Sequence, residues 1–312
     1  MTASMSSNGI ARVTTVRPEP IQSIAYIYDG STEGLLTAVF TAYANHENPQ
    51  DVVRKGIPQP RLGQSTLTIE TDNALAKRVQ AGIRKRGGKP AWEIVLEASL
   101  SDEPEAGTLI YRFIRLIMGR SAARNARIPN ELTDPVIGPV LKLQRFVRNE
   151  RHHMQQFLRF EHFEGDLWFA KCNPKANVIP LLMDWFSGRF NTQRFVIYDE
   201  AHHVAGIYNG VDWWLAQTSN LHLPSRTEEE RLMQTAWKDF YKAVSISARY
   251  HPELRRQFMP KRFWKNILEV RDELPNSDLP VLPENGGNAF PAGALPGQPK
   301  CSTGTLAATM EE

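Results

Sequence analysis

Two apolar runs in this chain end in the same three residues. Ala25-Tyr26-Ile27-Tyr28 stops at Asp29, and Phe195-Val196-Ile197-Tyr198 stops at Asp199. Two carboxylates at strand ends can activate water or hold a metal when they meet at one sheet edge. Each also has a purely local use. Asp29 can share a helix start with Ser31, and Asp199 can open a hairpin turn. The histidines are the next reactive set: the adjacent pairs His152-His153 and His202-His203, with His162 between them. Neighbours diverge by about 100° on a helix and point to opposite faces of a strand. Neither pair can therefore chelate one ion from a regular element. The chain has no His-x-x-x-His and no His-Cys-Cys set, so no metal site is expected. Asp29, Asp199 and His152 stand as candidate acid, base or metal-ligand groups.

The basic residues suggest a different chemistry. Arg120, Arg124 and Arg127 share one helix spacing; Lys142, Arg145, Arg148 and His152 share another. Arg249, Arg255, Arg256, Lys261, Arg262 and Lys265 crowd the last helical stretch, with Tyr250, Phe258, Phe263 and Trp264 among them. Phosphate backbones need several positive donors on one surface, and unpaired bases need flat side chains to stack on. The same pattern also describes a solvated helix face. Trp168, Phe169, Trp185, Phe186, Trp213 and Trp214 read as core and sheet packing, or as an outward base platform.

Positioning these groups requires a mixed set of elements. Ile24 to Tyr28 predicts a strand, followed by a helix capped by Ser31 with Leu35, Leu36, Val39, Phe40 and Tyr43 on one stripe. "STLTIET" predicts a second strand, and Asp72 caps a helix with Leu75, Val79 and Ile83 inward. Trp92 to Arg127 reads helical with a break near Pro104, and Pro135 to Gln156 reads helical. Two aromatic-rich runs around Glu164-Gly165-Asp166 predict a β-hairpin. Ile179, Leu182, Met183, Phe186 and Phe190 make one helix face, with Pro180 in its first turn. "RFVIYDEAHHVAGIYNG" predicts another strand pair. Thr227 with Glu230 predicts a capping box opening a long helix through Val244, and a last short helix holds Phe263, Trp264 and Ile267. The fold class is α+β: helices packed on a mainly antiparallel sheet built from β-hairpins.

With 312 residues the chain suffices for a sizeable core. Three segments are expected: a flexible lead over 1–22, a single α+β domain over 23–273 with a subdomain boundary near 130 as the alternative, and a disordered Pro- and Gly-rich tail over 274–312. Cys172 and Cys301 give neither a disulfide framework nor an iron–sulfur motif. No apolar stretch approaches the roughly 20 residues of a membrane span, and the first residues lack a signal peptide's pattern. A cytoplasmic protein is expected. No dinucleotide glycine pattern or P-loop is present.

Taken in order, "YDGSTEGLL", "IETD", "NERHHMQQFLRF", "LWFAKCNPKANVIPLL", "FSGRF", "VIYDEAHHVAGIY" and "MPKRFWKNILE" resemble a bacterial family described as DNA metabolism or DNA repair proteins. Its members accompany a radical-SAM protein with helix-hairpin-helix elements, and some are fused to a uracil-DNA glycosylase-like domain. The resemblance draws attention to Asp29, Glu33, Glu150, His152, Arg159, Arg189, Asp199, Met259, Pro260 and Trp264. This chain departs from the family's pattern at Gln156, Trp185 and His202. The resemblance implies a DNA-binding accessory protein serving the radical-SAM partner on damaged or single-stranded DNA. Arg145, Arg148, Arg159, Arg189, Arg262, Lys265 and Trp264 would face the DNA. No cofactor is expected in this chain, and the iron–sulfur cluster and S-adenosylmethionine would sit on the partner. The alternatives are a glycosylase- or nuclease-like enzyme using Asp29, Asp199, His152 and Glu150, and a protein-interaction scaffold.

Overall fold

The structure is a computed structural model that describes residues 23–57, 61, 63–219, 221 and 223–274. The expected lead over 1–22, and the expected tail beyond Leu274, lie outside the described residues. The chain divides into two compact units, 1–80 and 81–312.

The first unit is built on a three-stranded sheet of order β2-β1-β3. Strand β1 (Ile24–Tyr28) pairs in parallel with both β2 (Asp51–Arg54) and β3 (Ser65–Thr68). Helix α1 (Thr32–Ala44) follows β1 as its apolar spacing predicts, burying Leu35, Leu36 and Val39. The Ser31 hydroxyl accepts from the Gly34 amide at 2.9 Å and caps it. This sheet is wholly parallel, and β2 was not foreseen. Helix α1 returns the chain to the starting end of the sheet, so β2 runs parallel to β1.

The second unit holds a five-stranded sheet of order β4-β5-β6-β7-β8. Its strands are β4 (Phe160–Phe163), β5 (Leu167–Cys172), β6 (Phe195–Asp199), β7 (Val204–Tyr208) and β8 (Trp213–Gln217). Three pairings are antiparallel, and β5–β6 is parallel. The protein is thus α+β, as expected, with this sheet mainly but not wholly antiparallel. The β4–β5 turn holds Gly165 at φ 81° and Asp166 at φ 55°, the left-handed geometry that glycine supplies without strain.

The exception, β5–β6, arises because helix α6 (Ile179–Arg189) crosses between them. It lies so close to the sheet that a Cβ on Gly206 would sit 2.3 Å from Met183 Sδ. Ile179, Leu182, Met183 and Phe186 form one core with Phe195, Ile197, Tyr208, Phe263, Trp264 and Ile267. Helix α2 (Asn73–Ser99) kinks at Gly88, φ 74°, and Pro90 stands in the first turn after the kink. Helix α3 (Ala106–Gly119) follows the expected break near Pro104, a further break at Arg120–Ser121 that was not expected sets off the short α4 (Ala122–Asn125), and α5 (Ile137–Phe157) matches the expected helix. Helix α7 (Glu228–Val244) is capped by Thr227, whose hydroxyl accepts from the Glu230 amide at 3.2 Å. The return leg of the capping box is not made. Glu230 accepts instead from the His162 amide of β4 and from Gln234. The chain ends its described part with α8 (Pro252–Phe258), a 3-10 turn over Lys261–Asn266 and α9 (Leu268–Arg271).

Candidate functional site

Parallel β5 and β6 end side by side, with Cys172 opposite Asp199. The Glu200 amide then donates to the Cys172 carbonyl at 3.1 Å. Asp199 is fully buried, and Oδ1 accepts from the amides of Ala201 (2.9 Å) and His202 (3.3 Å). That is the expected turn, and it carries a second function. Oδ2 lies 2.5 Å from His202 Nδ1, and His202 Nε2 lies 2.8 Å from Asp102 Oδ2. The loop bearing Asp102 is held there by a bridge from Ser101 to Ala176 and by a bond from the Asn177 amide to the Leu100 carbonyl. The imidazole is therefore clamped between one buried carboxylate and one exposed one, with 14% of its side chain in solvent.

Beside it, Glu200 meets Lys171 Nζ at 2.5 Å and Lys265 Nζ at 3.1 Å. Burial acts to raise the Glu200 pKa, but the two ammonium groups outweigh it and hold the carboxyl below its ordinary value. Glu150 of α5 is buried and binds Arg262 through both oxygens, at 2.5 and 2.7 Å. It also accepts from the Lys175 amide at 2.9 Å. Again burial alone would raise its pKa, and Arg262 with that amide brings it down. Arg262 and Lys265 are three residues apart on a 3-10 turn, where such side chains eclipse. One short turn thus supplies cations to both carboxylates. The Cys172 thiol is buried, and that burial with Asp199 and Glu200 nearby pushes its pKa well up, so it is no thiolate nucleophile.

Burial acts to lower the pKa of His202, but the bonds to Asp102 and Asp199 outweigh it and raise it to about 9. A group whose folded pKa exceeds its unfolded value, about 6.5 for histidine, stabilises the fold fully below that value. The contribution fades as pH rises through 9. The wild-type protein should therefore lose about 1–3 kcal/mol between pH 6.5 and 9.5. His202→Gln should flatten that limb. Denaturant titrations at the two pH values check this, and parallel losses in both proteins would contradict it.

The other expected site residues fall into several places. Asp29 belongs to the first unit. Its Oδ1 accepts from the Ser31 amide (2.9 Å) and hydroxyl (2.6 Å), and Oδ2 from the Thr71 hydroxyl at 2.8 Å. Burial opposes, but these bonds lower its pKa. A Cβ on Gly34 would stand 2.2 Å from Oδ1, so glycine is what lets α1 approach this carboxylate. His152 is exposed on α5, with Nε2 2.9 Å from Gln156 Nε2, and takes no part in the Asp199 network. Glu150 serves Arg262 and holds the last helical stretch on α5.

The expected DNA-facing set is also dispersed. Arg148 bonds Glu97 at 2.6 Å, and Arg159 reaches Glu269 at 3.5 Å. Arg262 and Lys265 are engaged as described. Arg145 and Arg189 remain exposed, Arg189 lying 5.4 Å from the exposed Trp185 ring. Trp264 is a correction: at 3% exposure, with Nε1 donating to the Met259 carbonyl at 2.8 Å, it is core and offers no stacking face. Asp102, Glu200 and Lys171 were missed. His202 had a signal, because an Asp followed three residues later by His across a turn can bond itself. Asp102 had none.

Among the described residues, no group of three or more His, Cys, Asp or Glu is arranged to hold a metal ion, and no helix is long and apolar enough to cross a membrane.

The fold and site define an α+β protein with a clamped imidazole at the carboxyl ends of two parallel strands. The chain belongs to the DUF4130 family, a domain of unknown function, which matches residues 104–269 and takes in the motifs quoted above from Asn149 to Glu269. None of the curated proteins compared is similar to it.

Proposed function

We propose that the protein works in DNA metabolism, binding unpaired or damaged DNA and acting on it at the carboxyl edge of β5 and β6. The observation that carries this reading is His202. Asp199 holds its Nδ1 from a fully buried position, while Nε2 is held by Asp102, whose side chain is exposed. The buried partner fixes the ring as a donor, and the exposed partner is replaceable. A substrate oxyanion, such as a phosphate oxygen or a departing sugar oxygen, would take the place of Asp102 at Nε2 and receive its proton or hydrogen bond. Lys171 and Lys265, two ammonium groups sharing the Glu200 carboxylate, would then neutralise added negative charge.

Ligands of open sheets commonly bind outside the carboxyl ends of parallel strands, which is where these groups stand. The motif resemblance supplies the DNA context. In this reading a radical-SAM helix-hairpin-helix partner carries its own iron–sulfur cluster and S-adenosylmethionine.

Titration of the purified protein with single-stranded, duplex and uracil- or abasic-containing oligonucleotides across salt concentrations tests the reading. Arg145→Ala with Arg189→Ala should flatten the slope of log K against log salt by roughly 1.5, similarly for all sequences. His202→Gln should keep affinity and lose product formation, followed by mass spectrometry of the oligonucleotide. Absence of salt-dependent binding would overturn the DNA reading. Binding with product formation untouched by His202→Gln would remove His202 from the chemistry.

A further inference from the structure

Helix α7 buries none of its residues. Leu232, Met233, Trp237, Phe240 and Val244 keep between 46% and 67% of their surface in water, and Ile246, Tyr250, Leu254 and Phe258 downstream are exposed as well. The helix is attached by its polar flank. Glu230 accepts from the His162 amide, Lys238 pairs with Asp272 at 2.7 Å, and Trp237 Nε1 reaches Glu269 at 3.3 Å. Its apolar side is left facing outward.

We infer that this face is the interface of a homodimer, formed by α7 pairing antiparallel with α7 of a second copy of the chain. Met233, Trp237, Phe240 and Val244 follow one another at spacings of four, three and four, the seam spacing of paired helices. The positions flanking the seam are Gln234 and Tyr241 on one side and Ala236 and Ala243 on the other. All are uncharged, so an identical copy meets no like charge there, and the alanines let the helices approach. A two-fold axis passing between Trp237 and Phe240 sets Trp237 against Phe240 of the second copy, and Met233 against its Val244. This is the self-complementary arrangement that a two-fold requires. The five exposed apolar side chains of α7, at about 100 Å² each, present on the order of 500 Å², and the four exposed ones that follow it in the chain hold about 400 Å² more, against roughly 800 Å² per partner in a standard interface.

Sedimentation equilibrium of the full chain across the micromolar range tests the inference, independently of any DNA activity. Wild type should have the mass of a dimer. Met233→Glu with Phe240→Glu should weaken association at least about 100-fold, with circular dichroism and melting temperature unchanged, because both side chains are exposed and, among the described residues, neither bonds to the body of the protein. A wild-type monomer throughout the range overturns the inference. A monomer that dimerises only when the chain stops at Leu274 overturns it in favour of the tail as occupant. A dimer that survives the double substitution places the interface elsewhere and overturns it too. Should the double variant fail to fold, Ala236→Glu repeats the test at the seam's edge.

Discussion

The Asp199→Ala protein should melt about 10 °C below wild type, a loss of roughly 3–5 kcal/mol. Three bonds end on this carboxylate, from two amides and an imidazole, and none of its surface reaches water. Removing it leaves two turn amides without acceptors and a cationic ring with its inner partner gone. Such orphaned groups cost more than the net worth of the bonds themselves. Asp199→Asn separates the local role from the electrostatic one. An amide oxygen at Oδ1 still accepts from Ala201 and His202, so the turn survives and the loss should be about half as large. Without the buried charge, His202 no longer keeps its raised pKa, and the fall in stability between pH 6.5 and 9 should flatten. Thermal melts of both variants, with DNA processing assayed in parallel, check this. If Asn at 199 leaves processing at wild-type level, Asp199 is a turn residue and nothing more.

Trp264→Ala should cost about 3–5 kcal/mol, the range for deleting a large buried aromatic side chain. The ring is enclosed in the core that joins the last helical stretch to α6 and the sheet, and its indole N–H is bonded to Met259. The Arg255 guanidinium lies 4.7 Å from the ring centroid and the Lys261 ammonium 5.9 Å, so the substitution also removes a cation–π contact. At a temperature where the variant remains folded, its affinity for single-stranded DNA should equal that of wild type. A variant that melts normally but binds unpaired strands more weakly would return Trp264 to the surface role first expected of it.

Much of the architecture was legible locally. The Ser31 cap, the Gly165 turn and the apolar face of α6 each depend on residues a few positions apart and formed as expected, and of the capping box at Thr227 only the Thr227 leg formed. The helix opened by Asp72 and the helical stretch from Trp92 read as separate segments, and the structure runs them together as α2 across a kink at Gly88, whose positive φ no local pattern announces. Strand β2 escaped notice because Asp51–Arg54 is only four residues long and holds two charges. What covers it is decided by where α1 returns the chain.

Trp264 and the stripe of α7 show the limit from opposite sides. Both lie in patterns of alternating apolar and basic residues, yet Trp264 is enclosed and Trp237 is exposed. Periodicity fixes which residues share a face and says nothing about whether another element covers it.

The sequence by itself determined that Asp199 ends a strand in a turn and that His202 falls within reach of it, because both follow from backbone geometry over four residues. Only the tertiary structure decided that Asp102, 100 residues from His202, closes the clamp, and that Arg262 is spent on Glu150, 112 residues away. The physical reason is that a charge finds its partner through packing. Two side chains that distant in sequence meet only where the intervening chain folds them together, and a buried carboxylate draws whichever cation that fold brings within reach.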